Sequence, residues 1–186
     1  MNRTAVIFPG VGYTKDRPLL YYSGKLAKGY GYELKHIEFT GLSWSKEQLK
    51  DPVFLRTTLD KCLAMTERAL AGAGDLSGDD TVFISKSIGT VVATAFADRT
   101  GSKARQICFS PLEMIEGFVK EGNGILFYGD ADPFADFRDI ERIADDKRLE
   151  KFRIAGGNHS LETGDVPEDI DNLSAMMKRV SEELKG

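Results

Sequence analysis

Four short stretches hold the residue types that could do chemistry. Ser85-Lys86-Ser87-Ile88-Gly89 carries two hydroxyls, and Gly129-Asp130-Ala131-Asp132-Pro133-Phe134 carries two carboxylates. Gly156-Gly157-Asn158-His159-Ser160-Leu161 carries an imidazole, and Pro9-Gly10-Val11-Gly12 offers bare backbone. A serine hydroxyl is a weak nucleophile until a base takes its proton. Histidine can do so near neutral pH, and a carboxylate can hold the imidazole in the needed tautomer. Negative charge developing on a carbonyl oxygen then calls for backbone N–H donors, and glycines let the main chain come close. The chain has only two histidines, His36 and His159, so any such base has two candidates. Each stretch also has a plain structural use: Ser87 as a helix cap, His159 as loop surface, residues 9–12 as an ordinary turn.

Other chemistries fit less well. Two cysteines, Cys62 and Cys108, make neither a disulfide framework nor a metal cluster, and no metal site is expected. Gly10-Val11-Gly12-Tyr13-Thr14-Lys15 lacks the third glycine of a dinucleotide loop, and no phosphate-binding G-x-x-x-x-G-K-[ST] occurs. A net charge of −4 and a pI near 5.3 lack the basic footprint of a nucleic-acid or anionic-membrane binder, so neither is an expected partner. No apolar run approaches the roughly 20 residues of a membrane span, and Ala5-Val6-Ile7-Phe8 is far shorter than a secretory core. The expected location is the cytoplasm.

The elements that must position these stretches can be read from apolar periodicity. Residues 4–8, 33–39, 81–85, 105–109, 124–128 and 152–155 form short apolar or β-branched runs, read as strands. Between them, residues 52–71, 89–98, 133–145 and 167–185 carry helical patterns, with 89–98 apolar almost all round and therefore buried. Strands alternating with helices imply parallel pairing through right-handed crossovers. The expectation is one domain over residues 1–186, a three-layer α/β/α sandwich on a mainly parallel sheet of about six strands. A strand order of second, first, third, fourth, fifth, sixth puts the topological switch between the first and third strands. The Gly10 loop and Ser87 flank that crevice. The chain shows no internal repeat, linker or low-complexity segment.

With strand, turn and helix in this order, residues 81–98 resemble the nucleophile elbow of the α/β-hydrolase family. There a serine sits at a sharp turn and needs small neighbours two residues to either side. Gly89 matches the family's G-x-S-x-G, and Ser85 stands in place of its first glycine. The resemblance covers essentially the whole chain at the level of strand and motif order. It is similar to the small dienelactone-hydrolase-like and esterase-like branches, though with serine at the elbow where dienelactone hydrolases themselves have cysteine. It implies Ser87 as nucleophile, Asp132 as the acid after the penultimate strand, and His159 as the base after the last. Asp130 is a competitor for the acid. His36, before the serine in sequence, is out of order for this family and reads as structural. Ile88 and Val11 are the implied oxyanion N–H donors, with Gly12 the alternative to Val11, and Gly10, Gly12, Tyr13, Leu112 and Phe134 lie around the implied substrate cleft.

What the resemblance implies is a serine hydrolase acting on a small ester or related acyl substrate through an acyl-enzyme, without metal or organic cofactor. The alternative is a non-catalytic interaction module built on the same fold. Larger relatives insert a lid after the strand that follows the elbow helix. Here residues 110–123 have room for one short helix and its turns, so an open cleft and short acyl groups are expected.

Overall fold

A computed structural model of the chain describes residues 3–42, 48, 51–74, 76–78 and 80–185. In chain order it runs β1 (Thr4–Phe8), α1 (Pro18–Gly29), β2 (Glu33–His36), α2 (Pro52–Leu70), β3 (Thr81–Lys86), α3 (Ile88–Thr100) and β4 (Arg105–Phe109). A short 3-10 helix (Glu113–Gly117), β5 (Gly124–Gly129), α4 (Phe137–Asp146), β6 (Glu150–Ile154) and α5 (Val166–Lys185) complete it. The strands form one six-stranded sheet in the order β2-β1-β3-β4-β5-β6, and each neighbouring pair is parallel. That is the expected order, with the switch between β1 and β3.

The strands alternate side to side, and each side finds its own helices. Val6, Phe8, Phe83, Cys108, Leu126 and Tyr128 pack with α2, α3 and α4. Ala5, Ile7, Val82, Ile84, Ile107 and Phe127 pack with α1 and α5. Both faces of the central strands are covered, which is why β3 and β5 read as continuous apolar runs. Phe8, Phe83, Phe109 and Phe127 are fully buried, and each such side chain contributes at most about 3 kcal/mol. Cys62 and Cys108 are buried free thiols, and burial pushes both up to about 12. They behave as small apolar side chains.

Three differences from the sequence expectation have a local reason. Helix α1 was not anticipated: Pro18 starts it, and its buried stripe is Leu19, Leu20, Ser23, Gly24 and Ala27. Three small residues let it lie close to the sheet while hiding the apolar period. Strand β2 stops at His36 instead of residue 39, and Ile37 N–H still reaches the Ile7 carbonyl at 3.0 Å. Helix α4 starts at Phe137 rather than 133, where the Asp136 carboxylate accepts the Arg138 N–H at 2.9 Å. Residues 130–136 are thereby left as a loop at the C-terminal edge of the sheet. Among the described residues no helix is long and apolar enough to cross a membrane.

Candidate functional site

The turn after β3 is a single residue. Ser87 N–H still bonds the Phe109 carbonyl at 3.0 Å, extending the strand ladder, and Ile88 is already helical. To reverse direction this fast, Ser87 takes φ 56° and ψ −127°, a region non-glycine residues seldom occupy. The helix then passes so close to β1 that a Cβ at Gly89 would lie 2.4 Å from the Pro9 carbonyl and 2.5 Å from that of Phe8. The glycine is a steric necessity. Ser85, two residues earlier, is fully buried and donates its hydroxyl to the Ile107 carbonyl at 3.2 Å.

Two loops from the other half of the sheet meet Ser87. The loops after β5 and β6 are fastened to each other by main chain. Ala131 N–H bonds the Gly157 carbonyl at 3.0 Å, and a Cβ at Gly129 would sit 2.0 Å from that same oxygen. Asp130 adds to the fastening by accepting the Gly156 N–H at 2.6 Å. Asp132 points elsewhere. One of its oxygens accepts the Phe134 N–H at 2.8 Å, and the other lies 2.7 Å from His159 Nδ1. His159 Nε2 lies 2.7 Å from Ser87 Oγ. Ser87, His159 and Asp132 are thus one continuous hydrogen-bonded chain. The Asp132 side chain is 4% exposed and that of His159 22%.

Electrostatics around the imidazole pull in two directions. Burial is the larger effect and holds His159 below the ordinary histidine value, with the positive charge of Lys86 adding to it. The bond to Asp132 and its negative charge pull the other way without winning. A neutral imidazole with Nδ1–H donated to Asp132 leaves Nε2 free to accept from the Ser87 hydroxyl.

No protein-family model matches the sequence, and no curated protein sequence matches it. Solved structures do. A Xanthomonas campestris protein assigned to the α/β superfamily of hydrolases superposes with a TM-score of 0.68 at 14% identity, over 99% of each chain. Another X. campestris protein, a serine hydrolase without a lid, gives 0.67 at 15% identity over 98% of this chain and 83% of that one. Est1E of Butyrivibrio proteoclasticus gives 0.70 at 13% identity over 98% and 87%. The fold is that of an α/β hydrolase.

Within this α/β-hydrolase fold, the remaining site residues fall around the Ser87–His159 pair. Gly10 backs directly onto the serine: a Cβ there would lie 3.2 Å from Ser87 Cβ. Ile88 is the first residue of α3, where helix N–H groups and the positive end of the dipole are presented. Val11 packs against the apolar cluster that contains Ile88. Three depressions are lined by residues of the loops that flank the pair. Gly10, Val11 and Gly12 line one of about 330 Å³, closed by Ile37, Phe39 and Leu42. Tyr13 lines a second of about 420 Å³ between α1, α5 and the His159 loop. Phe134, its ring 4.8 Å from the imidazole, lines a third of about 440 Å³ with Asp130 and Asp132.

Leu112 is the exception. It is 7% exposed and belongs to the core on the α3 side, because the 3-10 helix that it precedes turns it inward. His36 is exposed at the end of β2, on the neighbouring strand to β1, and takes no part in the hydrogen-bonded chain.

Sequence reasoning missed two residues here. Lys86, inside the elbow, is 1% exposed and donates from Nζ to the His159 carbonyl at 2.6 Å. Ser110 donates its hydroxyl to the same oxygen at 2.9 Å. A lysine between two serines reads as a solvated turn residue. The available signal was strand parity, which places residue 86 on the same side as Val82 and Ile84.

Proposed function

We propose that the protein is a serine hydrolase that cleaves small acyl esters through an acyl-enzyme. The observation that carries the reading is the unbroken chain from Ser87 Oγ through His159 to Asp132, at 2.7 Å in both links, on a serine held at φ 56°. In the first step Ser87 Oγ bonds to the substrate carbonyl carbon as its proton passes to His159 Nε2. Asp132 stabilises the imidazolium through Nδ1–H and remains ionised itself. The N–H groups of Val11 and Ile88 stabilise the oxyanion, and the glycines at 10 and 12 allow that approach. The tetrahedral intermediate collapses, the C–O bond to the leaving alcohol breaks, and His159 returns the proton to that alcohol. Water then attacks the acyl-serine with His159 as base again, which releases the acid and restores Ser87.

The likeness to an esterase and to a lid-less serine hydrolase supports the reaction class. Substrate size follows from the connection between β4 and β5, where only the 3-10 helix Glu113–Gly117 intervenes, so that among the described residues this connection supplies no cap over the pair. Each acyl CH₂ left in water forgoes roughly 0.8 kcal/mol, so short acyl groups are preferred.

Fluorophosphonate labelling tests the reading. The wild type labels with one equivalent at Ser87, and Ser87→Ala keeps its circular-dichroism spectrum while losing both label and ester turnover. Across an acyl-chain series, kcat/KM does not rise steadily towards long chains. An unlabelled wild type would make the protein a binding module on a hydrolase fold.

A further inference from the structure

Lys86 ends β3 with its side chain turned to the α1 and α5 side, the side on which Val82 and Ile84 of the same strand join the apolar core. Taking an ammonium out of water costs several kcal/mol even after relaxation, and burial lowers this lysine to about 7. What Lys86 adds over a methionine is therefore a donor and a positive charge. The donor goes to one atom, the main-chain carbonyl oxygen of His159, at 2.6 Å. The face of the Tyr13 ring, 5.1 Å away, offers the ammonium its other favourable contact.

The same carbonyl receives Ser110 Oγ at 2.9 Å. Ser110 follows β4 with φ 43°, a left-handed conformation in which its N–H still bonds the Phe127 carbonyl at 2.7 Å. Two adjacent strand ends therefore each send a donor to one oxygen of the histidine loop. On its far side that loop is tied by Asn158, whose side chain accepts the Ser160 N–H at 2.7 Å. The bonds from β3 and β4 act on His159 itself, whereas those from Ala131 and Asp130 hold the loop two and three residues earlier, at Gly157 and Gly156.

We infer that Lys86 is a positioning residue, which together with Ser110 clamps the His159 carbonyl and so holds the imidazole against Ser87. The inference rests on the reading of Ser87 and His159 as nucleophile and base. The charged and titratable groups around Lys86 are Asp132 and Glu162, whose negative charge favours its protonated form, His159 itself, and Tyr13, which burial pushes up to about 12 and keeps neutral.

The test compares Lys86→Met, Ser110→Ala and the double variant, with kcat counted per fluorophosphonate-labelled site so that only folded active enzyme enters. Lys86→Met is expected to lower kcat about 10- to 100-fold with KM little changed, the range seen when a reacting group loses its outer support. Its acid limb moves to higher pH, because a positive charge that disfavours imidazolium is gone. Ser110→Ala lowers kcat less and leaves the acid limb in place. The double variant falls by more than the product of the two, since each single variant leaves one donor on the carbonyl. Unchanged kcat in Lys86→Met, or a lower kcat with an unmoved acid limb, overturns the inference. Should Lys86→Met fail to fold, Ser110→Ala decides alone, and an unchanged kcat there overturns it. Absence of label on the wild type, by contrast, removes the hydrolase reading and is seen before any variant is made.

Discussion

The turn after β3 and the loop after β5 deliver their side chains to the same imidazole by opposite means. The first is Ser87 alone, pinned between a strand ladder and a helix, with main chain of β1 within 2.5 Å of where a Gly89 side chain would begin. The second spans residues 130–136 and holds Asp130 and Asp132, either of which could face a histidine, ahead of the Asp136 that caps α4. In the turn, steric exclusion leaves one conformation. In the loop, the choice between Asp130 and Asp132 is made by contact with another loop. Asp130 is drawn to the Gly156 N–H, and Asp132 is left facing His159. A short connection encodes its geometry in its residue types. A long one receives its geometry from what it docks against.

The largest expected effect lies in the loop. Asp132→Asn should lower kcat by about 10⁴-fold, because an amide at this position favours the wrong imidazole tautomer. Asp130→Asn should cost less than about tenfold, since an amide oxygen can still accept the Gly156 N–H. Steady-state kinetics on both variants checks this, and the reverse ranking would move the acid by two positions.

Next comes the turn. Gly89→Ala should destabilise the protein by about 1–3 kcal/mol or more, because the methyl meets backbone atoms that cannot rotate away. Ala131→Ser on the exposed loop should stay within about 0.5 kcal/mol. Urea midpoints of the two variants measure the contrast directly, and equal shifts would erase the distinction between turn and loop.

The smallest effect weighs the two regions against each other on one group. Asp132 from the loop favours the protonated imidazole, while burial and Lys86, the residue before the turn, disfavour it and prevail. Only neutral imidazole acts as base, so activity is lost as pH falls through the histidine value. The acid limb of kcat/KM should lie below the ordinary 6.5 or so. Asp132→Asn should move it lower still. A limb above the ordinary value would show that the loop carboxylate dominates.

Much of this arrangement is legible along the chain. Short apolar or β-branched runs mark the six strands, and the chain order of Ser87, Asp132 and His159 follows the strand ends. Where the reading falls short, the cause is physical. Helix α1 buries small residues, which carry little apolar signal. Leu112 looks like a cleft wall by its place after β4, but the 3-10 helix behind it faces the core. Lys86 looks solvated by residue type, and its 1% exposure depends on a loop that arrives from the other end of the sequence.

Local sterics and side-chain alternation act between near neighbours, so the sequence by itself determined the strands, the elbow at Ser87 and the need for glycine at 89. The polar convergence joins residues far apart in the chain: Ser87 to His159 across 72 positions, Asp132 to His159 across 27, Lys86 to His159 across 73. Hydrogen bonds of that separation exist only after the strands have paired into the sheet. Their partners are chosen by distance and burial in the folded chain, and that choice belonged to the tertiary structure alone.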